Sequence, residues 1–340
     1  MKLITFTVPC YNSQDYMDKC IESLLKAGPD AEILLVDDGS RDRTPEIADA
    51  YAAKYPDIIK AIHKPNGGHG SGVNAGVHAA EGLYFKVVDS DDWLDEDALG
   101  QLMDTIRQHL AEDHLPDMYI CNFIYFHAAD NTQHVSKYTS KMNVGDVDWK
   151  KVKAFHYSHT LMMHALIYRT STLRKNYIEL PEHTFYVDNV YAYAPLSDML
   201  KAYYLDADLY YYYIGREGQS INIDTAMKRY KQQLLVMQMM VAAHRYEDLK
   251  VLPKGLRRYM FHYLDAIMMN TLMFACGTFS KERKKDVKDM WRQMKETDKK
   301  LYRHLRYRSY ATVVAFIPYR LRPSIMMWAY KIICKRDKLG

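Results

Sequence analysis

An apolar run ends abruptly in three carboxylates at Leu83-Tyr84-Phe85-Lys86-Val87-Val88-Asp89-Ser90-Asp91-Asp92. Side chains alternate along a strand, so extended geometry continued past Val88 puts Asp89 and Asp91 on one side and Ser90 on the other. Two acids then converge at the low-dielectric mouth of a sheet. A divalent cation bound through oxygen relieves their repulsion and leaves positions for water and phosphate. In open α/β sheets ligands sit beyond the carboxyl ends of the strands, where these acids fall. The competing reading is that short polar residues here only cap the next helix.

The elements that must position these acids follow from the pattern on either side. Leu3–Val8 reads as a buried strand, and Pro9-Cys10-Tyr11-Asn12 leads to a helix with Ser13 as N-cap and Gly28-Pro29 as its stop. Glu32–Val36 is a second strand running into Asp37-Asp38-Gly39-Ser40, followed by a helix opened by Thr44 and Pro45. Ile58–Ile62 is a short third strand, and the glycine-rich stretch Asn66–Gly76 enters a short helix before the strand that carries Asp89. Repeated alternation of strand and helix argues a parallel, doubly wound sheet with right-handed crossovers. The glycines permit a loose dinucleotide-binding reading. That fingerprint belongs after the first strand with an acid downstream, whereas this loop follows the third strand and Asp37 precedes it. The better reading is a loop that lets backbone approach a nucleotide closely, fixed by Asn66 and Asn74.

Further along, Asp95 caps a helix to about Leu110, Met118–Phe126 is a strand, and residues 127–150 form a hairpin or excursion. Ala165–Arg169 and Lys201–Leu205 read as strands, and the tyrosines at 210–213 suit an extended segment with one face packed and one wet. Beyond Asp224 the character changes to long helical patterns, about 224–246, 254–276 and 281–306. The expected division is therefore residues 1–222, with halves at 1–110 and 111–222, and a helical region at 223–340.

The chain has 340 residues, of which 48% are hydrophobic and 26% charged, enough for a sizeable core and a second unit. Five scattered cysteines without a Cys-x-x-Cys pair argue against a disulfide scaffold and for a reducing, cytoplasmic compartment. No secretory h-region opens the sequence, and the apolar run Ala311–Pro318 is far too short to span a bilayer. The net charge of +4 hides an asymmetry: residues 281–340 hold 18 Lys+Arg against 6 Asp+Glu. Tyr302–Lys338 mixes those cations with Tyr, Ile, Met and Trp328, the composition of an interfacial helix on the anionic inner face of a cell membrane.

Taken together, Pro9-x-Tyr11-Asn12, Val36-Asp37-Asp38-Gly39-Ser40-x-Asp42-x-Thr44, Asn66-x-Gly68, Asn74-x-Gly76, Gly82-x-Tyr84, Asp89-Ser90-Asp91-Asp92 and a later Asp188 resemble the family 2 glycosyltransferases of bacterial polysaccharide and cell-wall glycan assembly. The resemblance is in register over residues 1–110, weaker to about 222, and absent from the helical tail. It implies the GT-A fold, an α/β mixed sheet, followed here by an α-helical region. It implies that Pro9, Tyr11 and Asp37 or Asp38 line the base pocket of a UDP-sugar, that Asn66, Gly68 and Asn74 shape the donor loop, and that Asp89 meets the ribose. Asp91 would hold Mg²⁺ or Mn²⁺, neutralising the departing nucleoside diphosphate. Asp188 would be the general base of an inverting displacement, with Glu182 as the alternate. Arg216, in a loop after the tyrosine-rich strand, would contact diphosphate oxygens. Many members carry an arginine where this chain has Val73, a position for which His69 is the nearby substitute.

The function expected on this basis is metal-dependent transfer of a hexose or N-acetylhexosamine to a hydroxyl of a lipid-linked or polymeric glycan acceptor. Nucleic acid is not an expected partner, and a homo-oligomer is compatible with the sequence. The rivals are a metal-dependent phosphatase using Asp89 as nucleophile, a nucleotidyltransferase, and a non-catalytic carbohydrate-binding module. The first places its Asp-x-Asp after the first strand, the second needs glycines near residue 10, and the third leaves the converging acids unexplained.

Overall fold

The computed structural model describes residues 1–157, 159–175, 177–215, 223–309 and 311–328. The chain divides into two compact units, Met1–Lys153 with Leu161–Gly218, and Ala154–Thr160 with Gln219–Gly340.

The first unit opens as strand and helix in alternation: β1 (Ile4–Cys10), α1 (Met17–Leu25), β2 (Ala31–Asp37), α2 (Thr44–Lys54), β3 (Ile59–His63), α3 (His69–Ala79) and β4 (Tyr84–Val87). Every residue of β1, β2 and β4 is buried, as near-continuous apolar runs require in a sheet covered on both faces. These four strands pair in parallel in the order β3-β2-β1-β4. Glycines set how closely they pack. A Cβ on Gly82 would lie 2.5 Å from the Ile4 carbonyl carbon, and one on Gly76 would lie 2.2 Å from the Thr7 methyl, so α3 and the turn into β4 can sit directly on β1.

The sheet then becomes mixed. It continues through β5 (Trp93–Leu94), α4 (Glu96–Ala111), β6 (Met118–His127), β7 (Thr132–Ser136), β8 (Gly145–Asp146), β9 (Leu166–Arg169), α5 (Thr170–Lys175), α6 (Asp188–Tyr193) and β10 (Ala202–Ile214). β9 runs antiparallel between β4 and β6, and β10 runs parallel to β6. The α/β mixed sheet and the helical region after it are the expected architecture.

Local details differ from the expectation. Ser13 does not cap α1 with its side chain; its carbonyl accepts from Tyr16 and Met17, and its hydroxyl lies 2.8 Å from that of Ser90. Thr170, which the sequence offers as the cap of a short helix, is the first residue of α5, and its hydroxyl donates instead to Gly82 O at 2.6 Å. The two strands expected at 201–213 are one, β10, with register shifts around Asp208 that absorb the polar interruption. Asp95 caps α4 as expected, accepting from Ala98 N at 3.0 Å.

The second unit is helical: α7 (Ile223–Lys228), α8 (Tyr230–Ala243), α9 (Tyr246–Val251), α10 (Lys254–Cys276), α11 (Lys281–Thr297), α12 (Lys299–Tyr307) and α13 (Ala311–Phe316). The helix expected over 281–306 breaks at Asp298, whose carboxylate caps α12 by accepting from Lys300 N and Leu301 N. Methionines 237, 240, 260, 268, 290 and 294 are buried in this unit, which makes them core. Among the described residues, no helix is long and apolar enough to cross a membrane.

Candidate active site

The acids gather where β1, β2 and β4 end, but strand alternation is not what places them. β4 stops at Val87, the chain turns at Ser90 and Asp91, and Asp92 N donates back to Asp89 O at 3.0 Å. Asp92 swings inward and is 1% exposed, while Asp89 and Asp91 stay half-buried. Asp92 is a brace: one oxygen accepts from the Tyr210 hydroxyl, the other from Tyr213 N at 2.8 Å. Burial, then the charges of Asp89 and Asp91, push its carboxyl well above the usual range. The Tyr210 oxygen also accepts from Asp89 N, at 3.1 Å.

The tyrosine run serves both of its faces. Tyr210 and Tyr212 point toward the acids, whereas Tyr211 stacks on Trp93 at 5.1 Å and Tyr213 lies on Phe126 at 6.1 Å. Lys19 sits over the other side of Trp93, so this indole is committed to packing.

Two histidines flank Asp89. His69, the first residue of α3, places Nε2 2.7 Å from one Asp89 oxygen. Burial opposes its charge, but Asp89, Asp188 and Asp91 outweigh it and hold the ring above its ordinary value. His164 Nε2 lies 3.9 Å from the other Asp89 oxygen, and its ring stacks on Tyr212 at 4.4 Å. His164 is 5% exposed, its Nδ1 has no hydrogen-bond partner, and burial pushes it down to about 4, leaving a neutral imidazole. Donor atoms of Asp89, Asp92 and His164 fall within 4.8 Å of one another, a grouping able to hold a cation. Beneath them the fully buried Lys86 donates to His164 O at 2.6 Å, and burial lowers it to about 8.

Sequence reasoning missed His164 and Lys86. The available signals were a lysine inside an otherwise apolar strand and a histidine inside Leu161-Met162-Met163-His164-Ala165-Leu166. Each is an expensive group to bury without a reason.

Asp188 opens α6 within electrostatic reach of this group. Burial pushes its carboxyl up to about 6; His69 opposes the rise and Asp89 adds to it. The segment leading to it is bent by left-handed backbone at His183 (φ 49) and Tyr186 (φ 67), unusual for side chains of this size. Glu182, the alternate base, is exposed and accepts from the Ser71 hydroxyl at 3.4 Å.

The glycine-rich loop proves to be a seat for that segment. A Cβ on Gly70 would lie 2.9 Å from Leu180 Cβ and 3.2 Å from Pro181 O, and one on Gly68 would lie 3.1 Å from His183 N. His183 N donates to Gly67 O at 2.6 Å. Asn74 accepts from Leu180 N at 3.0 Å and from the Tyr177 hydroxyl at 2.8 Å, and donates to Leu180 O at 2.9 Å, which commits its amide to the chain. Val73 is fully buried, and His69 is the residue paired with Asp89.

On the β1–β2 side, Pro9 is buried and Tyr11 is 47% exposed. Asp37 accepts from Ser40 N at 3.0 Å and faces His63 Nδ1 at 3.2 Å. Asp38 is spent on the loop, accepting from Lys64 Nζ, Gly67 N and Gly68 N at 2.6, 2.9 and 2.6 Å, while its carbonyl accepts from Asn66. Arg216 lies outside the described residues.

Residues 5–171 match the family model described as Glycosyl transferase family 2. This region is a family 2 glycosyltransferase domain. Among curated relatives, the glycosyltransferase EpsJ of Bacillus subtilis is 38% identical over 134 residues, 39% of this chain and 37% of EpsJ. Hyaluronan synthase of Pasteurella multocida is 37% identical over 121 residues, 35% of this chain and 12% of that one. The first curated relatives are matched over only 33% to 63% of their own length. S. aureus TarS 1-349 in complex with UDP-GlcNAc shares the fold at a TM-score of 0.57 and 22% identity, over 91% of this chain and 92% of that one. The family's sequence region ends before Asp188, whereas the shared fold covers 91% of the chain.

Proposed function

We propose that the chain is an inverting glycosyltransferase that moves a hexose or N-acetylhexosamine from a UDP-sugar to a hydroxyl of a lipid-linked or polymeric glycan. The observation that carries this reading is the convergence of Asp89, Asp91, His69, His164 and Asp188 at the ends of parallel strands, in a chain that carries this family's domain. The UDP-GlcNAc held by TarS supports the donor class, and the polymer named for the hyaluronan synthase supports the acceptor class.

Pro9, Tyr11 and Asp37 line the nucleobase side of the cleft. Asp38, Asn66, Gly68 and Asn74 act on the donor through the loop and the segment it seats. Asp89, oriented by His69, faces the ribose. The acceptor hydroxyl attacks the anomeric carbon from the side away from the nucleotide, Asp188 takes its proton, and the bond from that carbon to the diphosphate oxygen breaks. Partial desolvation makes Asp188 a stronger base than a solvated carboxylate while leaving it ionised at neutral pH.

Mg²⁺ or Mn²⁺ fits the donor set. Asp89 would supply oxygen and His164 a neutral nitrogen 3.9 Å from an Asp89 oxygen, within the spacing of about 3–4 Å that two donors on one ion adopt, and Asp91 is the further oxygen ligand we assign. When bound, the ion neutralises charge building on the departing diphosphate. The nitrogen favours Mn²⁺ over Mg²⁺. Arg216 remains the proposed diphosphate contact. The setting we assign is cytoplasmic, in keeping with Cys10, Cys20, Cys121 and Cys276, all buried and free.

The test is nucleotide release from a panel of UDP-, GDP-, TDP- and CMP-sugars with and without Mn²⁺ or Mg²⁺. Metal-dependent release from a UDP-sugar, abolished in Asp91→Ala, is expected. Metal-independent release, or no binding of any sugar nucleotide, overturns the reading.

A further inference from the structure

The end of the helical unit is built the wrong way round for a solvated surface. α13 buries Ala311 and Val314 but turns Val313 and Phe316 outward, 63% and 81% exposed. Residues 322–328 are helical, and there Met326 is buried while Ile325 and Trp328 stand 37% and 66% exposed, with Leu321 before them at 54%. Leu321, Ile325 and Trp328 are spaced four and three apart, so they share one helical face, and that face is the outer one. A helix face in water carries polar residues; here Ala311, Val314 and Met326 make the core contact and a second set of apolar residues still points out.

The apolar group extends to α11 through aromatic contact. Phe279, 56% exposed, lies 5.5 Å from the Tyr319 ring, whose hydroxyl donates to Ser280 O at 2.9 Å. Cations rim it. Lys284 and Arg322 sit 5.2 and 5.5 Å over the Tyr319 ring, and Arg320 is exposed between Phe316 and Leu321. Arg303 and Arg308 are exposed on α12, the helix that packs against α13.

Scattered exposed apolar residues are ordinary, whereas a contiguous set ringed by cations and aromatic rings is not. Two occupants could cover it, a second copy of this chain or a bilayer. Residues 281–340 carry 18 Lys+Arg against 6 Asp+Glu, so pairing this face with its own copy brings two strongly basic surfaces together. An anionic bilayer reverses that sign, and its interface accommodates aromatic rings and shallow apolar side chains at the same depth. Since no described helix is long and apolar enough to cross, the contact we infer is peripheral.

We propose that Val313, Phe316, Leu321, Ile325 and Trp328, rimmed by Lys284, Arg320 and Arg322, form a docking surface for an anionic lipid bilayer. The helical unit is then the membrane-facing part of the protein, and the headgroup chemistry it reads is the lipid phosphate. Binding has an apolar part, from insertion of these side chains, and an electrostatic part that salt screens.

Co-sedimentation of the full chain with vesicles tests this. The probes are phosphatidylcholine alone and phosphatidylcholine with about a third phosphatidylglycerol. Binding to the anionic vesicles alone is expected, with release as salt rises from roughly 0.1 to 0.5 M. The triple variant Phe316→Ser, Ile325→Ser, Trp328→Ser should lower partitioning at least about tenfold. Because all three side chains are exposed, its melting temperature and helix content should match the parent. Equal pelleting of the variant and the parent, or no pelleting of the parent with anionic vesicles, overturns the proposal. So does a parent dimer in light scattering that the same substitutions convert to monomer, which assigns the face to a second copy instead.

Discussion

At the scale of single residues, the site depends on which carboxylates are already spoken for. Asp38 and Asp92 are consumed by the chain itself, through the glycine loop and through Tyr210 with Tyr213. Asp188 is the carboxylate we propose as the base. Asp188→Asn should lower turnover by about 10²–10⁴ while leaving donor affinity within a few-fold, read by comparing kcat with equilibrium binding of the nucleotide-sugar. In the parent, activity should rise with pH through about 6 and level above it, since the carboxylate is the active form and burial has raised it to that value. His69 pulls the Asp188 value down, so its removal in His69→Ala should move the acid limb of the pH–rate profile to higher pH. A limb that stays put or moves down would disconnect the two groups. His164→Phe keeps a ring against Tyr212 but deletes the nitrogen, and should weaken Mn²⁺ binding by about 10–100-fold in electron paramagnetic resonance titration.

At the scale of elements, the region of 177–187 is as much a part of the site as the strands. Two left-handed residues bend it, hydrogen bonds with Gly67, Ser71, Asn74 and His78 seat it on α3 and its glycine loop, and it leads into Asp188. Asn74 makes three of those bonds without touching the acids. Asn74→Ala should cost about 1–3 kcal/mol of stability and lower kcat more than it raises the donor KM, because the segment shifts while the base pocket stays. A change in donor KM alone would make Asn74 a ligand after all. The same geometry explains Gly68 and Gly70, which His183, Leu180 and Pro181 approach, whereas Gly72 and Gly76 face Pro9 and Thr7 of β1.

At the scale of the whole molecule, the helical unit carries a buried liability. Asp265, in the middle of α10, is 9% exposed, one of its oxygens lacks a hydrogen-bond partner, and burial raises it to about 7. Its value is raised on folding, so stability is fullest below the unfolded value near 4 and is lost as pH climbs to about 7, by about 2–4 kcal/mol. Asp265→Asn should therefore raise the melting temperature at pH 8 more than at pH 5, and a gain equal at both pH values would place the effect elsewhere.

By itself the sequence determined what depends on neighbours along the chain. Apolar runs alternate with helical periodicity, Asp89 and Asp91 fall at a strand end because Tyr84–Val87 must be buried, and the three long helical patterns follow from i, i+3, i+4 spacing. The tertiary structure alone decided how side chains far apart in sequence divide the work. Lys86 meets His164 across 78 residues, Tyr210 meets Asp92 across 118, and Leu180 meets Asn74 across 106. Whether a carboxylate is a base, a brace or a tether depends on which donors reach it. That is fixed by strand order and close packing, neither of which any local pattern encodes.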